Sequence, residues 1–268
     1  VQAVVLTCAG RTFIAGADIR EFDKPLVPPM LPDVLARLEK ARKPWVAAIH
    51  GTALGGGLET ALACSHRIAA RDAQMGLPEV TLGLIPGAGG TVRLPRLVDP
   101  AFALKMITGG KPVGAEQALA EGLIDALSNT DLLGDAVSLA LRVAALPRPV
   151  PLAQRAPVVA ADADALEAEM QRIDRKAGAQ HAPKAAVAAL RRALTGPAAE
   201  ALAAEREAFL HLRTDPQAKA LRHVFFAERE TARIDRIKDR TLRPFRAVGV
   251  IGGGTMGAGI AAACLLAG

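Results

Sequence analysis

The sequence predicts an α/β protein with a parallel sheet at its core. Short apolar runs typical of buried strands alternate with segments in which apolar residues recur at helical spacing. Glycine-bearing loops join these segments, and beyond Pro100 the pattern becomes almost wholly helical. The succession of strand, glycine loop, helix and strand favours a parallel core over a sandwich or a helical bundle.

The first hundred residues supply the predicted strands. Leu31, Val34, Leu35 and Leu38 have helical spacing, and Pro44 ends that helix. In chain order the segments are a strand at 1–8, a glycine loop entering a short helix at 10–22, a helix at 31–40, a strand at 45–49, a helix at 58–64 and a strand at 67–70.

Helices dominate the remainder, with a proline-rich break at 147–151 and a return to strand, glycine turn and helix at 246–268. The predicted helical segments lie at 101–108, 114–121, 132–145 and, as a longer Ala-, Arg- and Glu-rich stretch, 162–233. We therefore expect three parts, which are a core at 1–150, C-terminal helices and a linker at 151–245, and a dinucleotide-type unit at 246–268. The first strand starts at once and the last motif is cut short, so we expect the chain to belong to a longer protein.

Composition excludes some classes of function. Apolar residues make up 51% of the chain, enough for a sizeable core, but aromatics make up only 3% and Tyr is absent. That argues against single-stranded nucleic-acid binding, which stacks bases on aromatic rings. The net charge of +6 fits either an Arg-rich solvated surface or attraction of an anionic substrate. The three cysteines have no metal-ligand or disulfide spacing, which favours a reducing cytoplasm, and no apolar run approaches a membrane span.

Two glutamates are the strongest candidate functional residues. Glu59 follows the triple glycine of residues 55–57, and Glu79 follows Gly76 and Pro78. Glycines at a helix N-terminus leave N–H groups free to hold an oxyanion. Taken singly, either glutamate is more often a helix-dipole partner or a surface charge. Together, and with a further glycine loop at Gly16, they predict an oxyanion site flanked by two acid–base carboxylates.

Four linked motifs resemble the crotonase (enoyl-CoA hydratase/isomerase) superfamily. They are GRTFIAGADI at 10–19, AIHGTALGGGLE at 48–59, GLPE at 76–79 and LIPGAGGT at 84–91, continued by ITG at 107–109, AEQA at 115–118 and GLID at 122–125. The match covers roughly residues 1–130. It implies a spiral of ββα units whose opening strands and first helix this chain lacks.

The resemblance also implies roles for individual residues. The N–H groups of Ala17 and Gly56 would form the oxyanion hole for a thioester carbonyl. Glu59 would activate water and Glu79 would protonate Cα, so that trans-2-enoyl-CoA becomes 3-hydroxyacyl-CoA without a cofactor or metal. Further substrate-binding positions implied by the resemblance are Ala15, Asp18, Ile19, Gly55 and Gly87. Isomerisation of the double bond at the same site, or a catalytically inactive fragment, are the alternatives.

The C-terminal motif AVGVIGGGTMG at 247–257 predicts a strand followed by a dinucleotide-binding turn. Gly252 and Gly254 would approach the pyrophosphate of NAD, and Gly257 would allow close packing of the helix. With ALRHVFFAER at 220–229, this order resembles multifunctional β-oxidation enzymes, in which a hydratase precedes a 3-hydroxyacyl-CoA dehydrogenase. The resemblance implies an acyl-CoA substrate, a bacterial cytoplasmic location, and self-association or a thiolase partner in the longer protein.

Overall fold

The computed structural model describes residues 1–231 and 245–267. The chain divides into two compact units, Val1–Phe226 and Ala227–Gly268. Among the described residues, the first unit contains two sheets and nine complete helices. A tenth helix, Pro216–Thr231, crosses the boundary, and the second unit contains one further described helix. The part of the predicted linker at 232–244 lies outside the described residues.

A parallel four-stranded sheet forms the centre of the first unit. Its strands are β1 (Val4–Leu6), β2 (Trp45–Ile49), β4 (His66–Ala70) and β7 (Ala126–Ser128), in the order β1-β2-β4-β7. Residues 46–49 of β2 are completely buried, which explains the continuous apolar run in the sequence, because parallel sheets are covered on both faces. The predicted strands at 1–8, 45–49 and 67–70 are thus confirmed.

A second, smaller sheet carries the glycine loops. It consists of β3 (Thr52–Leu54), β5 (Gln74–Gly76) and β6 (Val113–Gly114); β3 and β5 are parallel, and β6 is antiparallel to β5. Ile14 extends it through an isolated parallel bridge to Ala53. The sheet therefore brings the three glycine-bearing segments at 14–17, 54–57 and 76–79 to neighbouring positions.

The helices follow the predicted order, and local signals explain several of their ends. Asp99 caps α4 through the Ala101 N–H and Pro100 is its first residue, while Asp131 and Asp162 cap α6 and α7. The first ten helices are α1 (Leu31–Glu39), α2 (Gly56–Ala63), α3 (Gly90–Arg93), α4 (Pro100–Gly109), α5 (Ala115–Ala120), α6 (Leu132–Ala144), α7 (Ala163–Ala177), α8 (His181–Thr195), α9 (Ala198–Thr214) and α10 (Pro216–Thr231), with short 3-10 turns at Ile19–Glu21, Pro78–Leu82, Leu94–Arg96 and Leu152–Gln154.

The C-terminal helices belong to the same core as the sheets. Ala186, Val187 and Leu190 of α8 and Leu212 of α9 are buried in the cluster that contains Leu58. Helices α8 and α9 therefore pack against the core through these residues. On α10 the buried residues are Ala218 and Arg222, whereas Phe226 is 38% exposed.

The second unit contains α11 (Thr255–Leu266), which begins directly after Gly254. Residues 245–253 form no strand in the structure. A strand is defined by hydrogen bonds to a neighbour, and the described residues offer this segment none. The predicted first strand and helix of a Rossmann domain are thus represented by the helix alone among the described residues, and NAD binding by this unit stays a prediction.

Candidate active site

Glu59 is held by hydrogen bonds from the glycine-rich turn that precedes and begins α3. It lies in the first turn of α2 and is only 3% exposed. Its Oε1 accepts hydrogen bonds from the Ala88 N–H (2.7 Å) and the Gly90 N–H (2.8 Å). No hydrogen bond among the described residues engages its Oε2, so one oxygen is held in place and the other is left for a water or substrate.

Glu79 lies in the 3-10 turn Pro78–Leu82. Its Oε2 is buried and lacks a hydrogen-bond partner within the described part of the chain. Its Oε1 lies only 2.8 Å from the point that a Cβ on residue 55 would occupy, so Gly55 leaves the space that this carboxyl group fills. The side chain therefore points at the N-terminus of α2, where Glu59 also lies.

Burial sets the protonation of both carboxyl groups. Loss of solvation raises the pKa of Glu59, and the Ala88 and Gly90 N–H groups partly oppose that rise. The pKa of Glu79 is raised well above its ordinary value, first by burial and next by the negative charge of Glu59. Two neighbouring buried carboxylates resist ionising together, so the arrangement favours an ionised Glu59 beside a protonated Glu79.

The two predicted oxyanion donors lie on segments that pair directly. Ile14 donates its N–H to the Thr52 carbonyl (3.1 Å) and accepts from the Leu54 N–H (3.0 Å). A Cβ on Gly57 would come within 2.0 Å of the Ile14 carbonyl oxygen, so only glycine permits this approach. Gly56 is the first residue of α2, where N–H groups lack an intrahelical partner.

The Ala17 side of the site is more open. Ala17 and Ala15 are exposed, and no hydrogen bond among the described residues uses the Ala17 N–H. Asp18 caps the turn Ile19–Glu21 through the Arg20 N–H and forms an ion pair with the Arg20 guanidinium (2.8 Å). Those bonds hold the pKa of Asp18 below its ordinary value. Asp18 thus orders the loop that carries Ala17.

Gly87 and the C-terminal glycines have different surroundings. Gly87 lies under the Phe209 ring, which a Cβ would approach to 2.4 Å. In the second unit, a Cβ on Gly257 would lie 1.8 Å from the Gly252 carbonyl oxygen, so α11 packs tightly against the turn before it. Gly254 is the residue that precedes α11.

Glu205 is a buried carboxylate that sequence reasoning missed. It lies on α9, is 1% exposed, and accepts hydrogen bonds from the Gly89 N–H, the Thr91 N–H and the Thr91 hydroxyl. Burial and the Glu59 charge raise its pKa to about 8. Its position on the apolar face of α9, three residues after Leu202 and four before Phe209, is a signal that could have revealed it.

The described residues contain neither a metal-binding cluster nor a membrane-spanning helix. No group of three or more His, Cys, Asp or Glu side chains at 1–231 or 245–267 could hold a metal ion. None of the helices described in those ranges is both long and apolar enough to cross a bilayer.

Curated proteins are similar to this chain in sequence. The chain is 40% identical to the human (Homo sapiens) peroxisomal bifunctional enzyme over 97% of its own length and 37% of that protein. It is also 40% identical to the Arabidopsis thaliana peroxisomal fatty acid beta-oxidation multifunctional protein AIM1, over 99% of this chain and 39% of that protein. The chain thus spans well under half the length of these curated relatives.

Solved structures agree on the fold. An enoyl-CoA hydratase subunit from Geobacillus kaustophilus matches with a TM-score of 0.51 and 32% identity, covering 85% of this chain and 78% of that one. An enoyl-CoA hydratase/isomerase from Pseudoalteromonas atlantica reaches a TM-score of 0.59 at 24% identity over 84% and 79% of the two chains, which supports the fold alone. The predicted crotonase-type α/β fold is confirmed.

One prediction is contradicted. We expected a bacterial cytoplasmic location, but the curated relatives in animals and plants are named as peroxisomal or glyoxysomal enzymes. Cysteine spacing reports only a reducing environment and does not distinguish compartments. The enoyl-CoA hydratase/isomerase family profile matches residues 1–174, and the chain belongs to that family.

Proposed function

We propose that this chain carries the site that adds water across trans-2-enoyl-CoA to give 3-hydroxyacyl-CoA in fatty-acid β-oxidation. The observation that carries the proposal is the pairing of two buried carboxyl groups in unequal surroundings. Glu59 receives two backbone hydrogen bonds, whereas Glu79 has a buried oxygen without a partner in the described residues. Unequal carboxyl groups suit a reaction that needs one base and one acid.

The proposed mechanism assigns one proton movement to each group. Glu59, held as the ionised member, orients a water molecule and takes its proton as the oxygen attacks Cβ. Glu79, the protonated member, gives a proton to Cα. The Ala17 and Gly56 N–H groups hold the thioester oxygen while it carries negative charge, a contribution worth a few kcal/mol in oxyanion sites. The remaining substrate positions, Ala15, Asp18, Ile19, Gly55 and Gly87, line or order this cleft.

Isomerisation of a 3-enoyl-CoA is a second candidate. It needs one carboxyl group to carry a proton along the acyl chain, and Glu79 has the free oxygen for that task. Both reactions can use the same oxyanion hole. The two reactions can be distinguished by their products, because hydration incorporates an oxygen atom from water and isomerisation does not.

Incubation with ¹⁸O-labelled water tests the proposal. The full-length protein should convert trans-2-enoyl-CoA into 3-hydroxyacyl-CoA with one ¹⁸O at C3, measured by mass spectrometry. With 3-enoyl-CoA, an unlabelled 2-enoyl product formed first would support the isomerase as well. If trans-2-enoyl-CoA yields no ¹⁸O-labelled 3-hydroxyacyl-CoA, the hydratase assignment is rejected.

The C-terminal turn is a proposed partial NAD site. When bound, NAD would accept a hydride from a substrate. Close packing of Gly257 on Gly252 is what a turn beneath a pyrophosphate requires. We propose that Gly252 and Gly254 would hold the pyrophosphate in a longer protein that completes the sheet. Self-association, or a thiolase partner of the longer protein, is proposed from the resemblance to multifunctional enzymes.

A further inference from the structure

Four successive N–H groups of one turn are shared between two carboxylates. The Ala88 and Gly90 N–H groups donate to Glu59, and the Gly89 and Thr91 N–H groups donate to Glu205. Glu59 approaches from α2 and Glu205 from α9. The turn at 88–91 is therefore held by Glu59 on one side and Glu205 on the other. A displacement of the turn at Glu205 would also move the N–H groups that orient Glu59.

Both oxygens of Glu205 are already used. Oε1 accepts from Gly89, and Oε2 accepts from the Thr91 N–H and hydroxyl. Because each oxygen already has a backbone partner, and unlike Glu59 and Glu79 the group has no oxygen left without one, Glu205 has none to offer a substrate. A buried carboxylate is costly unless it is fully hydrogen-bonded, and these three bonds are what compensate it.

The same turn has further support. The Arg93 guanidinium donates to the Ala88 carbonyl (2.6 Å) and to both oxygens of the buried Glu39 carboxylate (2.9 and 2.8 Å). Phe209, one turn after Glu205 on α9, covers Gly87. Side chains of α1, α3 and α9 thus fix the turn. Among these groups in the described residues, only Glu205 of α9 accepts from the Gly89 and Thr91 N–H groups, which alternate with the donors to Glu59.

We propose that Glu205 is a positioning residue that sets the orientation of Glu59 through their shared turn at 88–91. The inference rests on the proposed hydratase function. At alkaline pH, where it is ionised, Glu205 also acts through its charge on the other titratable groups of the cluster. Those groups are Glu59 on α2, Glu79 on the turn Pro78–Leu82, Arg93 on α3 with its partner Glu39 on α1, and Arg206 on α9.

Glu205→Gln in the full-length protein tests this role. Gln keeps the size but cannot accept on its NH₂ side, so one of the two backbone donors loses its acceptor. We expect kcat to fall about tenfold to a hundredfold, as small misplacements of catalytic groups do, with KM changed by less than about twofold because Glu205 does not touch the substrate. The matched control is Glu207→Gln, an exposed position on the same helix, which should behave as wild type.

The pH profile separates positioning from a merely structural effect. Charge on Glu205 raises the pKa of Glu79, so Glu205→Gln should move the alkaline limb of kcat/KM to lower pH. A variant that only destabilises the fold would lose activity without moving the limb. Should Glu205→Gln fail to fold, Thr91→Val removes one of the three bonds to Glu205 and should lower kcat about two- to fivefold at constant KM; wild-type kcat in that variant would overturn the proposal.

Amide hydrogen exchange of the peptide at 86–93 provides a measurement that needs no turnover. Exchange should be faster in Glu205→Gln than in Glu207→Gln. Equal exchange, with equal kcat and an unmoved alkaline limb, would overturn the positioning role. Faster exchange in a protein whose wild-type form hydrates no enoyl-CoA would instead reject the proposed function and leave the turn's dependence on Glu205 established.

Discussion

At the residue scale, three buried carboxyl groups influence one another's charge but differ in hydrogen bonding. Glu59 accepts from two N–H groups, Glu205 from two N–H groups and a hydroxyl, and the buried Oε2 of Glu79 from none among the described residues. Each N–H bond favours the ionised form, and each neighbouring negative charge disfavours it. The cluster therefore retains protons at neutral pH, and Glu79 is the group best placed to keep one.

Glu205 predicts how stability depends on pH. Its pKa is raised from an ordinary value of 4.5 to about 8, so between these values the folded protein binds more protons than the unfolded chain. Stability should then fall as pH rises from about 4.5 to 8, by at most about 1.4 kcal/mol per pH unit for one proton. Urea unfolding at several pH values should show a smaller decline in Glu205→Gln than in Glu207→Gln. An identical decline in the two variants would show that Glu205 does not titrate in this window.

At the scale of elements, the glycine loops explain why backbone segments come so close. The segment at 14–17 lies against β3 and the start of α2, and Gly57 is the contact point. This contact brings the segment that carries Ala17 against the first turn of α2, where Gly56 lies. Close backbone contacts therefore anchor these loops to the small sheet and to α2.

Gly57→Ala tests that contact. The new Cβ would lie 2.0 Å from the Ile14 carbonyl oxygen and 2.9 Å from the Ile14 Cβ. We expect the free energy of unfolding to fall by about 1–3 kcal/mol, the usual cost of overpacking, measured by urea denaturation. Gly109→Ala is the control, because a Cβ there meets nothing within 4 Å. Stability unchanged by Gly57→Ala would mean that the two segments can separate freely.

The dinucleotide turn yields a prediction about this stretch of 268 residues by itself. A single turn and helix offers N–H groups for a pyrophosphate but no second half for the nicotinamide. Calorimetry should therefore show NAD binding no tighter than that of an unrelated nucleotide. Micromolar affinity specific for NAD would show that one turn and helix suffice.

The sequence was informative where motifs are local and silent where contacts are distant. Glu59 and Glu79 follow glycines within a few residues, so their chemistry could be inferred from spacing. Glu205 meets the turn at 88–91 across more than a hundred residues, and its identity as a buried group depends on how α9 docks. The strand predicted at 247–251 failed for a related reason, because an apolar run becomes a strand only with a neighbour to bond.

At the scale of the whole molecule, apolar side chains remain exposed on two helices of the first unit. On α6 they are Leu133, Val137 and Leu141, at 54%, 43% and 56% exposed, and on α10 they are Val224 and Phe226, at 49% and 38%. Contiguous apolar surface is typical of interfaces or of association. Exposed apolar faces of this kind lead to a prediction about self-association.

Exposure of α10 predicts self-association of this chain. We expect light scattering at micromolar concentration to give a mass above that of the monomer, because large fractions of the Val224 and Phe226 side chains are exposed. Replacing both with Gln should lower the average mass, while Glu207→Gln should not. A monomer at all concentrations would rule out association through this helix.

The central claim is that Glu59 and Glu79 together perform the hydration, and turnover of their Gln variants tests it most directly. In the full-length protein, Glu59→Gln and Glu79→Gln should each lower kcat for trans-2-enoyl-CoA by at least about a hundredfold, the lower range for acid–base groups. The double variant should be little worse than the worse single one, because groups that act as a unit are not additive. Near wild-type hydration by either single variant, with Glu207→Gln as the reference, would contradict the account.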